Sequence, residues 1–171
     1  MARDIRPGSF QVLPIVIKNL LIINGLVWLA QITVGRDLYP IEDWFALHFY
    51  ESYYFKPWQV FTYMFLHSSS SFMHILFNMF ALWMFGSTLE NLWGSKRFLI
   101  FYLICGIGAA FVHMAAMAYD VSQLEKLLLA GEIRPEDFYG KMNIPTVGAS
   151  GAIMGIFAAF AYTFPNSQLF I

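Results

Sequence analysis

Charged residues divide this chain more clearly than any other signal. No Asp, Glu, Lys or Arg occurs from Asn19 to Gly35, from Pro57 to Leu89, from Phe98 to Tyr119, or from Met142 to Ile171. A helix that crosses a bilayer needs about 20 mostly apolar residues, and hydrocarbon offers no water to an open backbone. The pattern therefore predicts four membrane helices, over about residues 13–34, 72–89, 97–119 and 150–164. The first includes Lys18, whose long stem can carry its ammonium to the headgroups. The last stops at Pro165 and is too short, at about 1.5 Å per residue, to cross a core of about 30 Å. Its N-terminus is expected to lie beneath the membrane surface.

The segments between these helices differ in character. Residues 36–71 are rich in aromatics, among them Trp44, Tyr50, Tyr54 and Trp58, and are expected to lie in the headgroup zone as a membrane-interface loop. Residues 120–147 form the one soluble-looking stretch, an outer loop in which Val121, Leu124, Leu127 and Leu128 predict a short amphipathic helix. Residues 1–12 are expected on the cytoplasmic side: Arg3 and Arg6 precede the first apolar run without an A-x-A cleavage site, as in a signal anchor. Lys and Arg divide evenly between the two sides. The short inner loops carrying Arg3, Arg6, Lys18, Lys96 and Arg97 are the denser, which favours an N-terminus inside. The membrane expected is a bacterial cytoplasmic membrane.

Composition agrees with this picture. Apolar residues make up 58% of the chain and charged residues 12%, too few to clothe a water-soluble surface. A net charge of −1 provides no basic field for nucleic acid, so no nucleic-acid partner is expected. Cys105 is the only cysteine, which rules out an intrachain disulfide. No carboxylate pair, metal-ligand cluster or phosphate loop appears, and neither a metal nor a cofactor is expected.

The sharpest local feature is Gly148-Ala149-Ser150-Gly151, which opens the fourth helix. Glycines on either side clear space around Ser150. A helix N-terminus presents unpaired N–H groups and the positive dipole end, which suits a developing oxyanion. Serine is also a favoured N-cap, and small residues are common where membrane helices pack. The next helix back carries His74 and Asn78, four apart and therefore on one face. Polar groups are costly there, and they serve either chemistry or bonding between helices. If the chain leaves through helix one and returns through helix two, His74 and Ser150 both lie near the outer face and can converge. Gly151, Gly155, Ala158 and Ala159, and on helix three Cys105, Gly106, Gly108, Ala109 and Ala110, form small-residue stripes expected to pack helices. His67, in the loop before helix two, is expected to bond loop backbone. His113, near the outer end of helix three, is expected to be a packed or interfacial residue.

Taken in order, these pieces resemble the rhomboid intramembrane serine proteases. The resemblance runs from about residue 58 to 164. It rests on Phe65-Leu66-His67, His74-Ile75-Leu76-Phe77-Asn78, Gly86-x3-Glu90-x3-Gly94-Ser95, and Gly148-Ala149-Ser150-Gly151-Ala152. It implies an all-α, polytopic helical membrane protein in which residues 1–171 form a single rhomboid-type domain, the first four transmembrane helices of a six-helix bundle. It implies Ser150 as the nucleophile, an oxyanion hole of His74, Asn78 and the Ser150 backbone N–H, and Gly148 and Gly151 as motif glycines. The implied partners are the lipid bilayer, single-pass membrane-protein substrates, and remaining C-terminal helices of the same protein. In the family the general base is a histidine on the sixth helix, so the chain is expected to be truncated before helices five and six. The alternative is a catalytically inactive rhomboid-like protein that binds membrane clients. Two departures stand out: Gln59 follows Trp58 where the family usually has arginine, and Ser68 to Ser71 lengthen the loop before helix two.

Serine is a weak nucleophile without an adjacent base, so residues 1–171 alone are expected to show no proteolysis. Turnover of a membrane substrate by the isolated chain would refute that.

Overall fold

The computed structural model describes residues 10–34 and 39–166. The expectations for Arg3 and Arg6, and for the start of the 36–71 segment, lie outside them. Seven helices are defined here: α1 (Ile15–Thr33), α2 (Ile41–Phe45), α3 (Gln59–Thr62), α4 (Phe72–Trp93), α5 (Ser95–Leu129), α6 (Pro135–Met142) and α7 (Ser150–Thr163). A 3-10 turn, Tyr63–Phe65, follows α3, and α4 contains a π-helical turn at Leu82–Gly86. Among the described residues α1, α4 and α5 are long and apolar enough to cross a membrane, and α7 is a shorter apolar helix. At about 1.5 Å per residue α7 spans only about 21 Å. The protein is all-α and polytopic.

One boundary differs from expectation. The third membrane helix does not stop near residue 119 to restart as a separate amphipathic helix in the outer loop. It runs unbroken to Leu129. No glycine or proline interrupts residues 109–130, and the spacing of Val121, Leu124, Leu127 and Leu128 continues the helix in register. Asp120 marks where apolar surroundings end, which is a different matter from where a helix ends. The true stop is Gly131, with φ of 73°. The Gly131 N–H donates to Leu128 O and the Glu132 N–H to Leu127 O, a Schellman ending that needs a left-handed residue. At about 1.5 Å per residue the 35-residue helix reaches about 52 Å, well past a membrane core.

Small residues bring α5 and α7 together in antiparallel order. A side chain on Gly151 would collide with Ala109, and one on Gly155 with Cys105, while Gly106 faces Ala152. The expected stripe is thus observed, with two exceptions. Gly108 has open space on its Cβ side, and Ala158 is exposed. Around this contact Met64, Leu82, Phe98, Tyr102, Ala152 and Ile156 form the core, together with Ile17 from α1.

Polar side chains complete the frame at both ends. Glu90, 2% exposed, accepts the N–H groups of Val16 and Ile17 at 3.0 and 2.9 Å and the Ser95 hydroxyl at 2.6 Å. A carboxyl from α4 thereby caps α1, whose first N–H groups have no partner within their own helix. At the other end Gln59 does the work that its type left open. Its Oε1 accepts from the N–H of His48 and Lys56, and its Nε2 donates to the carbonyls of Asp43, Trp44 and Tyr54. Trp58 adds an indole N–H to Trp44 O at 2.9 Å. The interface loop is therefore tied to itself through Gln59.

Removing a buried group with several partners leaves each partner desolvated, at about 1–3 kcal/mol. Gln59→Ala is expected to lower thermal stability and to open residues 46–58 to limited proteolysis, with cleavage sites mapped by mass spectrometry. An unchanged cleavage pattern contradicts the anchoring role.

Candidate active site

Gly148 sits at φ of 127°, in a region that side chains other than hydrogen rarely adopt. The turn it makes is held from below. Its N–H donates to Tyr63 O at 3.0 Å, and the Tyr63 phenol donates to Gly106 O on α5 at 2.7 Å. One residue of the Tyr63–Phe65 turn thus bonds both the turn before α7 and the helix that α7 packs on. Two residues earlier Thr146 pairs with Leu47 through both backbone groups, and its hydroxyl lies 2.7 Å from His113 Nε2. His113 is a packing residue tying α5 to the segment before α7, and the cavity it lines is not the one that holds Ser150.

Ser150 is the first residue of α7 and is exposed. The N-cap position belongs to Ala149, and no side chain caps the helix. The structural explanation for a serine here, that its hydroxyl closes the helix end, therefore does not apply. Across the turn stands His74. A side chain on Gly148 would meet His74 Nε2 at 3.0 Å and Ser150 Oγ at 3.6 Å, so the imidazole and the hydroxyl flank the same point and glycine leaves it empty. His74, Asn78 and Ser150 line one groove of about 550 Å³ between α4 and α7, walled by Phe77, Phe80, Phe85 and Phe157. The structure brings together all five residues singled out from the sequence, since Gly151 provides the close contact with Ala109 behind Ser150.

The hydrogen bonds orient the polar pair. The Ser68 N–H donates to His74 Nδ1 at 3.3 Å. A ring nitrogen that accepts a hydrogen bond carries no proton, so the proton of this imidazole lies on Nε2, the nitrogen facing Gly148. His74 thus offers a donor toward the mouth of α7. Asn78, nearly buried, uses one amide N–H on His74 O at 3.0 Å, and a carboxamide has two.

His67 departs from expectation. Its backbone, not its ring, carries its hydrogen bonds: both ring nitrogens are buried without a protein partner. The ring meets His74 edge to face, centroids 5.3 Å apart. Burial, which disfavours the charged ring, pushes the His67 imidazole down to about 4. The sequence placed this residue beside the site only through its loop, and the lengthening by Ser68–Ser71 concealed that the two rings touch.

These features define a class: a multi-pass helical membrane protein with a serine at the mouth of a short apolar helix, in one groove with an imidazole and an amide. Comparison with known proteins makes the assignment specific. Residues 54–171 match the rhomboid domain, and the chain belongs to the rhomboid family. It is 31% identical to rhomboid protease AarA of Providencia stuartii over 148 residues, 82% of this chain and 48% of that protein. It is 30% identical to rhomboid protease GluP of Bacillus subtilis over 115 residues, 67% of this chain and 17% of that protein. The mitochondrial rhomboid protein 1 of Saccharomyces cerevisiae is 29% identical over 104 residues, 61% of this chain and 25% of that protein. The chain spans less than half the length of each.

The depressed His67 value sets a pH dependence. Its ordinary value is 6.5 and the folded value about 4, so the ring stays uncharged on folding. Its contribution is complete above about 6.5 and is lost as pH falls through about 4. Thermal unfolding in detergent should show stability dropping across that window, and His67→Phe should flatten the drop. An equally steep profile in the variant excludes His67 as its source.

Proposed function

We propose that this chain carries the nucleophile and oxyanion donors of an intramembrane serine endopeptidase. The observation that supports this most is the convergence of His74 Nε2 and Ser150 Oγ on the space left by Gly148. In this reading Ser150 Oγ attacks a peptide carbonyl and forms a tetrahedral intermediate. Its oxygen gathers negative charge and is met by His74 Nε2–H, the second Asn78 N–H and the Ser150 backbone N–H. The amine departs with a proton, and water then releases the acyl group from Ser150.

His74 is a poor candidate for the base. Its Nδ1 is occupied by the Ser68 N–H, and the remaining proton faces the site on Nε2. His113 bonds Thr146, and His67 is buried behind His74. The base in this proposal is a histidine on a further helix of the same protein, packed over the open groove between α4 and α7. The substrates in this reading are single-pass membrane segments. A helical segment must unwind to expose a carbonyl, which favours small or helix-breaking residues near the cut. The same reading places the N-terminus in the cytoplasm of a bacterial cell, with Ser150 toward the outer face.

The test uses the full-length protein and a fluorophosphonate probe. Ser150→Ala should abolish labelling and cleavage, and His74→Ala should lower kcat by about 10²–10³-fold, the usual cost of one oxyanion donor. Equal labelling without Ser150 removes the nucleophile assignment. An unlabelled wild type that still binds membrane segments favours an inactive client-binding protein instead.

A further inference from the structure

The first membrane helix bonds the backbone on both sides of His67, next to the site. Gln31, 2% exposed on α1, donates from Nε2 to His67 O at 2.8 Å and accepts at Oε1 from the His67 N–H at 2.9 Å. The next carbonyl, that of Ser68, accepts from the Trp28 indole at 3.2 Å. The Ser68 N–H is the group that reaches His74 Nδ1.

The carbonyl of His67 and the N–H of Ser68 belong to the same planar peptide unit. Holding the carbonyl from one side therefore aims the N–H on the other. Gln31 takes hold of the carbonyl, and Trp28 steadies the next one. A carbonyl that accepts a hydrogen bond also polarises its own N–H, which strengthens the bond that the N–H makes. With Nδ1 so occupied, the His74 proton is confined to Nε2.

We infer that Gln31, assisted by Trp28, is a positioning residue that clamps the His67–Ser68 peptide and so fixes the tautomer and aim of the His74 imidazole. Ordinary interhelical bonding by a buried glutamine would hold α1 to the loop without reference to His74. The relay is different because Gln31 spends its Oε1 and one Nε2 hydrogen on the two peptide units that flank His67, the other Nε2 hydrogen reaching Glu42 Oε1 at 3.2 Å. The inference rests on His74 as an oxyanion donor for its catalytic consequence. The tautomer itself can be observed without catalysis.

Two measurements on the full-length protein test it. In the first, kcat and KM for a membrane-segment substrate are compared for wild type, Gln31→Leu, Trp28→Phe, His74→Ala and the double variant Gln31→Leu/His74→Ala. Trp28→Phe keeps a ring against Phe72, 5.7 Å away, while losing the indole donor. Gln31→Leu should lower kcat about tenfold to a hundredfold, the scale of a displaced catalytic group, with KM within about twofold. Trp28→Phe should give a smaller loss of the same kind. In the His74→Ala background Gln31→Leu should cost less than about twofold, because the group it positions is gone. Equal losses in both backgrounds, or no loss in the wild-type background, overturn the inference.

In the second, 15N spectra of histidine-labelled protein report His74 directly. The wild type should show an unprotonated Nδ1 and a protonated Nε2, and Gln31→Leu or Trp28→Phe a mixture of the two tautomers. Identical spectra overturn the positioning role whatever the kinetics. A His74→Ala variant with full kcat instead removes the oxyanion reading, and the catalytic part of the inference falls with it.

Discussion

The close antiparallel approach of α5 and α7 is the constraint on which the site depends. Gly151 against Ala109 and Gly155 against Cys105 leave no room for a β-carbon on the α7 side. Lipid tails are as apolar as leucine, so membrane helices gain little from hiding hydrophobic surface from one another and gain mainly from fit. That fit fixes α7, about 21 Å long, along part of the 35-residue α5 and so fixes where Ser150 stands relative to it.

The irregular backbone beside Ser150 poses a second problem, because within a membrane non-helical backbone survives only where protein satisfies it. The protein does this with single side chains that each serve several backbone groups. Gln59 holds the interface loop, Tyr63 joins the Gly148 turn to α5, and Gln31 grips both sides of His67. Glu90 does the same at the opposite end by capping α1. Two of them, Tyr63 and Gln31, bond the backbone next to Ser150 and His74 respectively. Glutamine is well suited to this, because one planar amide offers both a donor and an acceptor. That is how Gln59 secures the loop without a cation.

Much of the architecture is legible in the chain. The charge-free stretches mark α1, α4, α5 and α7 because a bilayer tolerates few charges. The Gly148-Ala149-Ser150-Gly151 turn is legible because φ of 127° demands glycine. Asp120 misleads, because it signals a change of surroundings and helices continue through such changes until a residue such as Gly131 stops them. His67 and Gln31 were not legible as neighbours of the site. They stand 36 residues apart, joined through backbone atoms that every residue type possesses.

The sequence alone determined the class of protein, the helices and the candidate chemistry, since each follows from local quantities: apolar length, charge, helical spacing and glycine at a turn. Only the tertiary structure decided that Ser150 does not cap its helix, that His74 turns Nε2 toward Gly148, and that Gln31 of α1 bonds the backbone on both sides of His67. Those outcomes depend on distances between segments remote in the chain, and hydrogen bonds to backbone leave no mark in residue type.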